Sequence, residues 1–502
     1  MAQATLYGKV APGEFYRKAG ARLTEEADPS QIAHKVGTSE RTLPLLQAYH
    51  SFDKAHVVML CEEGLIPKDD GAAILRAFRE MEAVGWEQVR SGGGHGLFSG
   101  EAYLIEKLGE EIGGKIHLGR SSGDLNSVSA RIGLRTKLLN VMEAELKCRD
   151  AYLKLAEQHL ETVLPTYTMM QQAQVGTFAH YLVAWTLPLE RDFERLLGAY
   201  DRTNVSSAGA GIGTGSDFPL NRNRTAELLG FDGVCQNVRD ANAGRDFVLE
   251  SLSAITILMV NIAWATDAIF LFCSNEFSFV EVADRYCGSS SIMPQKKNPH
   301  SLMVVSETAS QLSGALSAML TNARSISGSI KAVLQNFDAT VEAVNLWTGI
   351  ISTLQVNKEI MRQRTLDFWA LATDLAGAIV RSRSLPWRTA HQITAILVRK
   401  ALEQNKKVTD IDSSFLDLAA REYIGEPLNL GDDEIRAVLD PLRAVKARTL
   451  IGGTAPAEVQ RQIHHCYDLL RRDTETLVQK RKALDEAAAK LKHAIDVILK
   501  TG

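Results

Sequence analysis

The segment that most limits the possible folds is Leu252–Phe272, LSAITILMVNIAWATDAIFLF, which is apolar on nearly all sides. It is long enough to cross a membrane, but it contains Asn261 and Asp267, and a charged side chain in mid-span is costly in lipid. No second candidate span accompanies it. A helix of this kind in a soluble chain must be surrounded by other helices. The segment therefore predicts a large helical bundle rather than a membrane anchor.

The rest of the chain also favours helices. Only 13 prolines and 7% aromatic residues occur among 502 residues, and strand-like alternation between turn signals is rare. Apolar residues recur with the helical period over long segments. The sequence thus predicts an all-α fold with a core of long helices. These segments are Asp70–Val89, Arg131–Glu161, Arg245–Asn275, Leu302–Arg324 and Ala339–Met361.

Glycine clusters divide the chain into three regions. The predicted boundaries fall near residues 118 and 370. We expect an N-terminal helical domain (1–117), a central helical bundle (118–370) and a C-terminal helical domain (371–502).

Charge and cysteine content exclude several functions. The net charge is −4 without a long block of one sign, which argues against nucleic acid and anionic membranes as partners. The six cysteines are scattered and no CxxC occurs, so a disulfide framework is not expected. The first residues lack the apolar core of a signal peptide. We expect a cytoplasmic protein.

Two motifs resemble a cofactor site and a metal site, but each lacks a feature that such a site requires. The glycine-rich run 208–216 has Thr214 where a dinucleotide fingerprint needs its third glycine, and no strand precedes it. The adjacent side chains of His464, His465 and Cys466 point about 100° apart on a helix and do not converge on one ion. We expect an interhelix loop and a surface helix, with no cofactor and no metal.

The loop Cys287–His300, CGSSSIMPQKKNPH, is the strongest candidate site. Lys296 and Asn298 supply a cation and an amide, the donors that a carboxylate site needs. A serine beside Lys296 can act as a base if nearby N–H groups and positive charge favour its ionised form. The alternative is a polar connection, which explains the serines and lysines separately but not the intervening Ile292-Met293-Pro294.

The loop resembles the signature loop of the fumarase/aspartase superfamily, and MPQKKNP is most similar to that of its argininosuccinate lyase branch. Other segments resemble the same branch in the same order. These are His117–Arg120–Ser121 (family HTGRSRND), Tyr167–Gln174 (YTHLQRAQ) with His180 downstream, Arg245-Asp246-Phe247, ATDLA from Ala372 and GGTAP from Gly452.

The resemblance implies an elimination that releases fumarate. It places the serine base at Ser290, with Ser289 where the family usually has glycine. It makes Lys296 and Asn298 ligands of the aci-carboxylate, and Ser121 and Thr168 ligands of the other carboxylate. The remaining residues expected to contact substrate are Arg120, Ser122, Met169, Gln171, Ser289, Met293, Lys331 and Gln335. No cofactor is implied.

Departures from the branch fall on the amine side. The family Arg and Asn after the serine are Ser122 and Gly123 here. A family His–Glu pair corresponds to Met169 and Met303, predicted to form an apolar contact. Aligned on Leu334-Gln335, the family Tyr–Gln–Lys set becomes Ile330, Gln335 and Asp338.

We therefore expect a C–N lyase that cleaves an N-substituted aspartate with an amine other than arginine, with ethylenediamine-N,N′-disuccinate as the expected substrate. Argininosuccinate lyase activity and a catalytically silent structural homologue are the alternatives. The resemblance further implies a homotetramer in which three subunits share each site. Glycine and serine in residues 284–297 lead us to expect that this loop closes over the substrate.

Overall fold

A computed structural model of the chain describes residues 45–92, 96–323 and 333–502, and its regular structure is predominantly helical, which confirms the predicted fold class. The α-helices are α1 Leu46–Glu62, α2 Lys68–Val84, α3 Trp86–Gly92, α4 Ser99–Leu108, α5 Glu110–Gly113, α6 Ser122–Glu157, α7 Phe178–Thr203, α8 Arg222–Leu228, α9 Val238–Ala243, α10 Asp246–Phe272, α11 His300–Ala323, α12 Leu334–Ser352, α13 Lys358–Asp367, α14 Ala372–Arg383, α15 Trp387–Glu403, α16 Ser413–Ile424, α17 Asp432–Val438, α18 Pro441–Lys446 and α19 Pro456–Thr501. The strands are β1 Val163–Thr168, β2 Gln171–Thr177, β3 Val280–Glu281, β4 Gly288–Ser289, β5 Lys297–Asn298 and β6 Gln355–Val356, and they form the antiparallel pairs β1–β2, β3–β6 and β4–β5.

The long helices α6, α7, α10, α11 and α12 pack into one bundle. In the described residues α10 is the one helix long and apolar enough to cross a membrane, and half of its most apolar window is buried inside the chain. Its polar residues have partners in the bundle, since Asn261 donates to an Asp192 carboxylate oxygen at 2.7 Å and Asp267 accepts from Ser306 at 3.5 Å. These contacts are those of a bundle helix.

One face of this bundle remains apolar and exposed. On α10 the exposed side chains follow helical spacing, with Ile257 40%, Val260 50% and Trp264 55% accessible. Met303 and Val304 add to the exposed apolar surface on α11. A contiguous apolar surface of this kind is typical of a protein–protein interface.

A second hydrophobic core forms within residues 370–445, and it also takes in Val163 and Val175 of the β1–β2 hairpin. The last helix, α19, instead packs on α1, α2, α6 and α7 and joins the first core. A buried ion pair fastens it there, with Arg149 of α6 bound to Asp473 at 2.7 Å. The boundaries near 118 and 370 stay predictions.

Three predicted helices are shorter in the structure or are interrupted. The segment Ala339–Met361 is broken because α12 ends at Ser352 and β6 then pairs with β3 through Val280 and Val356. The segment Asp70–Val89 is divided at Gly85, whose φ of 108° is left-handed. The segment Arg131–Glu161 stops at Glu157 because the chain turns into β1.

Candidate active site

The signature loop is a short hairpin between α10 and α11. Gly288 pairs with Asn298 and Ser289 with Lys297. Gly288 lies against His300, the first residue of α11, since a Cβ at position 288 would be 2.7 Å from Nδ1 of that side chain and would displace it. The hairpin turn is closed by the backbone bond from the Ser290 N–H to the Lys296 carbonyl, 3.2 Å.

The Ser290 hydroxyl oxygen is held by backbone donors. The N–H of Met293 donates to this oxygen at 3.0 Å and the N–H of Ile292 at 3.4 Å. Hydrogen bonds to the charged form of a group favour ionisation, so this arrangement stabilises a serine alkoxide. In the described part of the chain, the side chains of Ser289 and Ser291 have no such donors. Of the three serines, Ser290 is therefore the one whose hydroxyl oxygen accepts hydrogen bonds from the loop backbone.

The two adjacent lysines of the loop have different surroundings. Lys297 lies 2.8 Å from a Glu281 carboxylate oxygen and 2.6 Å from Asp284. These carboxylates hold the pKa of Lys297 well above its usual range. Lys296 is exposed, and within residues 45–92, 96–323 and 333–502 its ammonium has no ion pair. Lys296 is thus the lysine left for an anionic ligand.

A cleft of about 920 Å³ opens beside this loop. Its lining includes Lys296, Asn298, Met303, His300 and Glu276, so a cation, an amide and titratable groups surround an apolar wall. The sequence reasoning missed His300 and Glu276. The position of His300 at the end of the loop was the available signal, whereas nothing in the sequence around Glu276 marks it.

The β1–β2 hairpin presents a second set of predicted residues. Thr168 pairs with Gln171, and the two turn residues between them, Met169 and Met170, have φ of 52° and 61°. Such a two-residue turn normally needs Asn or Gly. Methionines in this conformation, 94% and 62% exposed, are both strained and solvated, which is typical of a functional site.

The hairpin lies at the same end of the bundle as the signature loop. The Tyr167 ring contacts that of Phe277, just after α10, with 5.4 Å between centroids. Met169 is 94% exposed, so the predicted contact with Met303 is not formed within one chain. It stays a prediction for an assembly of chains.

Ser121 lies at the N-terminus of α6. Its hydroxyl accepts from the Gly123 N–H at 3.0 Å and donates to the Gly211 carbonyl at 2.8 Å, while Asp124 accepts from the Ser121 N–H at 2.9 Å. Ser121 therefore caps the helix, and Ser122 is exposed beside it. The N-terminus of a long helix favours anions.

Gly123 leaves no room for a side chain. A Cβ there would lie 2.6 Å from the Gly211 carbonyl oxygen and 2.9 Å from the Asn242 side-chain oxygen. The glycine-rich run that contains Gly211 is a loop, as predicted, and it packs directly on the start of α6. The backbone of the glycine-rich loop therefore occupies the space that a side chain at position 123 would need, and this is the position where the resemblance places an asparagine.

The other predicted substrate contacts are Arg120, Gln335 and Lys331. The Arg120 side chain is 2% exposed and bound to Asp53 at 2.8 Å, which gives it a structural role instead of the predicted contact with substrate. Gln335 is exposed near the start of α12. Lys331 and Ile330 lie outside the described residues. Asp338 forms an ion pair with Lys137.

One chain does not bring all of these residues together. Ser121 precedes α6, whose 36 residues span about 54 Å. Thr168 follows the end of α6 by eleven residues, and a chain of that length reaches back about 36 Å at most. Ser121 and Thr168 are therefore at least about 18 Å apart, farther than one small dicarboxylate spans within a single chain.

The all-α bundle and the serine–lysine–asparagine loop define a lyase of the fumarase/aspartase superfamily. Residues 31–314 match the family model described as lyase, and residues 369–446 match the argininosuccinate lyase C-terminal family. The argininosuccinate lyase of Methanocaldococcus jannaschii is 35% identical over 459 residues, 89% of this chain and 92% of that protein. The chain belongs to the argininosuccinate lyase branch of this superfamily.

Solved structures of EDDS lyase have the same fold as this chain. EDDS lyase in complex with formate is 31% identical, with a TM-score of 0.87 over 97% of both chains. An EDDS lyase variant with bound fumarate is 33% identical, with a TM-score of 0.86 over 92% of this chain and 93% of that one. The protein is accordingly a carbon–nitrogen lyase that releases fumarate.

Proposed function

We propose that the enzyme cleaves an N-substituted aspartate whose amine is not arginine, and that ethylenediamine-N,N′-disuccinate is its substrate. The observation that carries this proposal is the closed position at Gly123, where a side chain would meet Gly211. The site of an amine-binding asparagine in the family pattern is thereby filled by backbone. The similarity to EDDS lyase over nearly the whole chain supports the same substrate.

The charges around α12 also argue against arginine. Asp338, at the position of the family lysine, is an acid paired with Lys137. A carboxylate cannot bind the carboxylate of an amino-acid leaving group. With Met169 in place of the family histidine, the turn also presents an apolar side chain where a polar one is expected.

The proposed reaction begins at Ser290. Its alkoxide, held by the two backbone N–H groups, takes the proton from the carbon next to a carboxylate. Lys296 and Asn298 stabilise the dianionic aci-carboxylate that results. Collapse of this intermediate breaks the C–N bond at the neighbouring carbon. The nitrogen carries its own proton as the ammonium form of the substrate, so it leaves with the bonding electron pair as the free amine, together with fumarate. The carboxylate is the electron sink, so no cofactor enters the scheme.

We further propose a homotetramer with shared active sites in the cytoplasm. The separation of Ser121 from Thr168 means that one chain supplies only part of a site. The exposed apolar face of α10 and α11 offers the surface through which other copies would complete it. Closure of the loop 284–297 over the substrate would then exclude water.

The test runs the reaction in reverse with fumarate and a panel of amines, following the loss of fumarate by ultraviolet absorbance. Ethylenediamine should be consumed and arginine should not. Consumption of arginine instead would identify an argininosuccinate lyase, and no consumption of either would favour a silent homologue. Sedimentation of the same sample reports the oligomeric state, and a monomer with full activity would contradict the shared site.

A further inference from the structure

We propose that Lys297 is a positioning residue for this reaction. Its ion pairs with Glu281 and Asp284 hold β5, next to the carboxylate ligands Lys296 and Asn298, against the segment that leads into the loop. The inference rests on the proposed function of the signature loop. It concerns the second of two neighbouring lysines, to which the proposed mechanism gives no part.

The charge partners of Lys297 separate it from Lys296. Both lysines and Asn298 line the cleft beside the loop. The ammonium of Lys297 lies 2.8 Å from a Glu281 carboxylate oxygen and 2.6 Å from Asp284. With two carboxylates beside it, Lys297 is already neutralised and is not the cation that a substrate would bind.

The two carboxylates lie where the loop joins the bundle. Glu281 belongs to β3, whose pairing with Gln355 of β6 ties it to the end of α12. Asp284 begins the short 3₁₀ helix Asp284–Tyr286 that leads into β4. The ion pairs therefore connect the outgoing strand of the hairpin to its incoming segment. A hairpin with two residues in each strand is marginal by itself, so such ties decide where it sits.

The ion pairs of Lys297 are weak enough to break when the loop moves. The side chains of Lys297, Glu281 and Asp284 are 35%, 55% and 95% exposed. Ion pairs this exposed are weak and screened by salt. The tie can therefore hold the hairpin in one position and still be released when the loop opens.

The test uses the full-length enzyme with the amine identified above. Lys297→Met should lower kcat about tenfold while changing the KM for fumarate less than about threefold, because ligands placed slightly wrongly cost rate. Lys297→Arg keeps the charge and should stay within about twofold of the parent. Lys147→Met removes an exposed ion pair with Glu143 on α6 and should change nothing.

A double variant that lacks both carboxylates distinguishes a positioning role of Lys297 from direct binding of substrate by Lys297. With Glu281→Gln and Asp284→Asn both present, the tie is already gone, so adding Lys297→Met should cost less than about twofold. A further tenfold loss in that background would mean that Lys297 itself binds substrate, and would overturn the proposal. Unchanged kcat in Lys297→Met, or a loss explained by a lower melting temperature, would also overturn it.

The dependence of kcat on ionic strength is an independent test of these ion pairs. The kcat of the parent should fall towards that of Lys297→Met as ionic strength rises, while the variant responds less. Failure of the proposed function would look different, because Ser290→Ala would then retain activity whatever the behaviour of Lys297. A parent no more salt-sensitive than Lys297→Met would contradict the tie.

Discussion

Replacement of Ser290 by alanine tests the central feature of the site. The change removes the hydroxyl oxygen and leaves the backbone N–H groups of Ile292 and Met293 without their acceptor. Both residues are exposed, 84% and 39%, so water can replace the lost oxygen. The free energy of unfolding should therefore fall by less than about 1 kcal/mol.

The effect on catalysis should be far larger. A positioned general base contributes about 10²- to 10⁴-fold, which corresponds to about 3–5 kcal/mol of activation free energy. Water in the same place lacks the tuning that the two N–H donors supply. We expect Ser290→Ala to lose activity by this factor while its melting temperature stays nearly unchanged.

The assay follows fumarate release by ultraviolet absorbance for the parent and three variants. Ser289→Ala and Ser291→Ala are matched controls, since neither hydroxyl accepts the two backbone hydrogen bonds. Both should remain within about tenfold of the parent. The reasoning is refuted if Ser290→Ala retains more than a tenth of the activity, or if either control loses more than it does.

Three further changes probe stability. Met170→Gly should raise the unfolding free energy by up to about 1 kcal/mol in thermal melts, because glycine adopts φ 61° without strain, whereas Met170→Ala should not. Arg149→Met should cost about 3–5 kcal/mol in urea unfolding, because it removes the buried cation that pairs with Asp473 and Glu145; a smaller loss than for exposed Lys147→Met would contradict this. Burial raises the pKa of Asp192 to about 6, so the folded state holds this proton more tightly than the unfolded state. The resulting stabilisation of the folded state is fully present below about pH 4 and is lost as pH rises through 6. The stability difference between parent and Asp192→Asn should fall by up to about 3 kcal/mol over that range, and a flat difference in pH-series melts would count against it.

Apolar periodicity predicted the bundle well where a helix is buried along its length. The predicted segment Arg245–Asn275 and the observed α10, Asp246–Phe272, differ only at their ends. The same signal failed at Ala339–Met361, because Val356 and Ile360 keep the helical spacing although the backbone of β6 pairs with β3. Pairing between segments distant in the chain is invisible to a local pattern.

The hairpin and the site geometry were less accessible to sequence reasoning. The turn at Met169 and Met170 contains neither glycine nor asparagine, so no turn signal marked it. Ser290 was chosen through resemblance, and only the structure shows which serine oxygen the N–H groups of the loop reach. Arg120 looked available from its motif, but Asp53, distant in sequence, holds it.

The position of α19 has a consequence for how the chain is made. This helix completes the first core, yet it leaves the ribosome after every helix on which it packs. Residues 370–445 already have a core of their own and can fold while α19 is still in the exit tunnel. During that interval the apolar surface of α6 and α7 stays uncovered, so nascent chains of this enzyme should depend on chaperones until α19 has emerged.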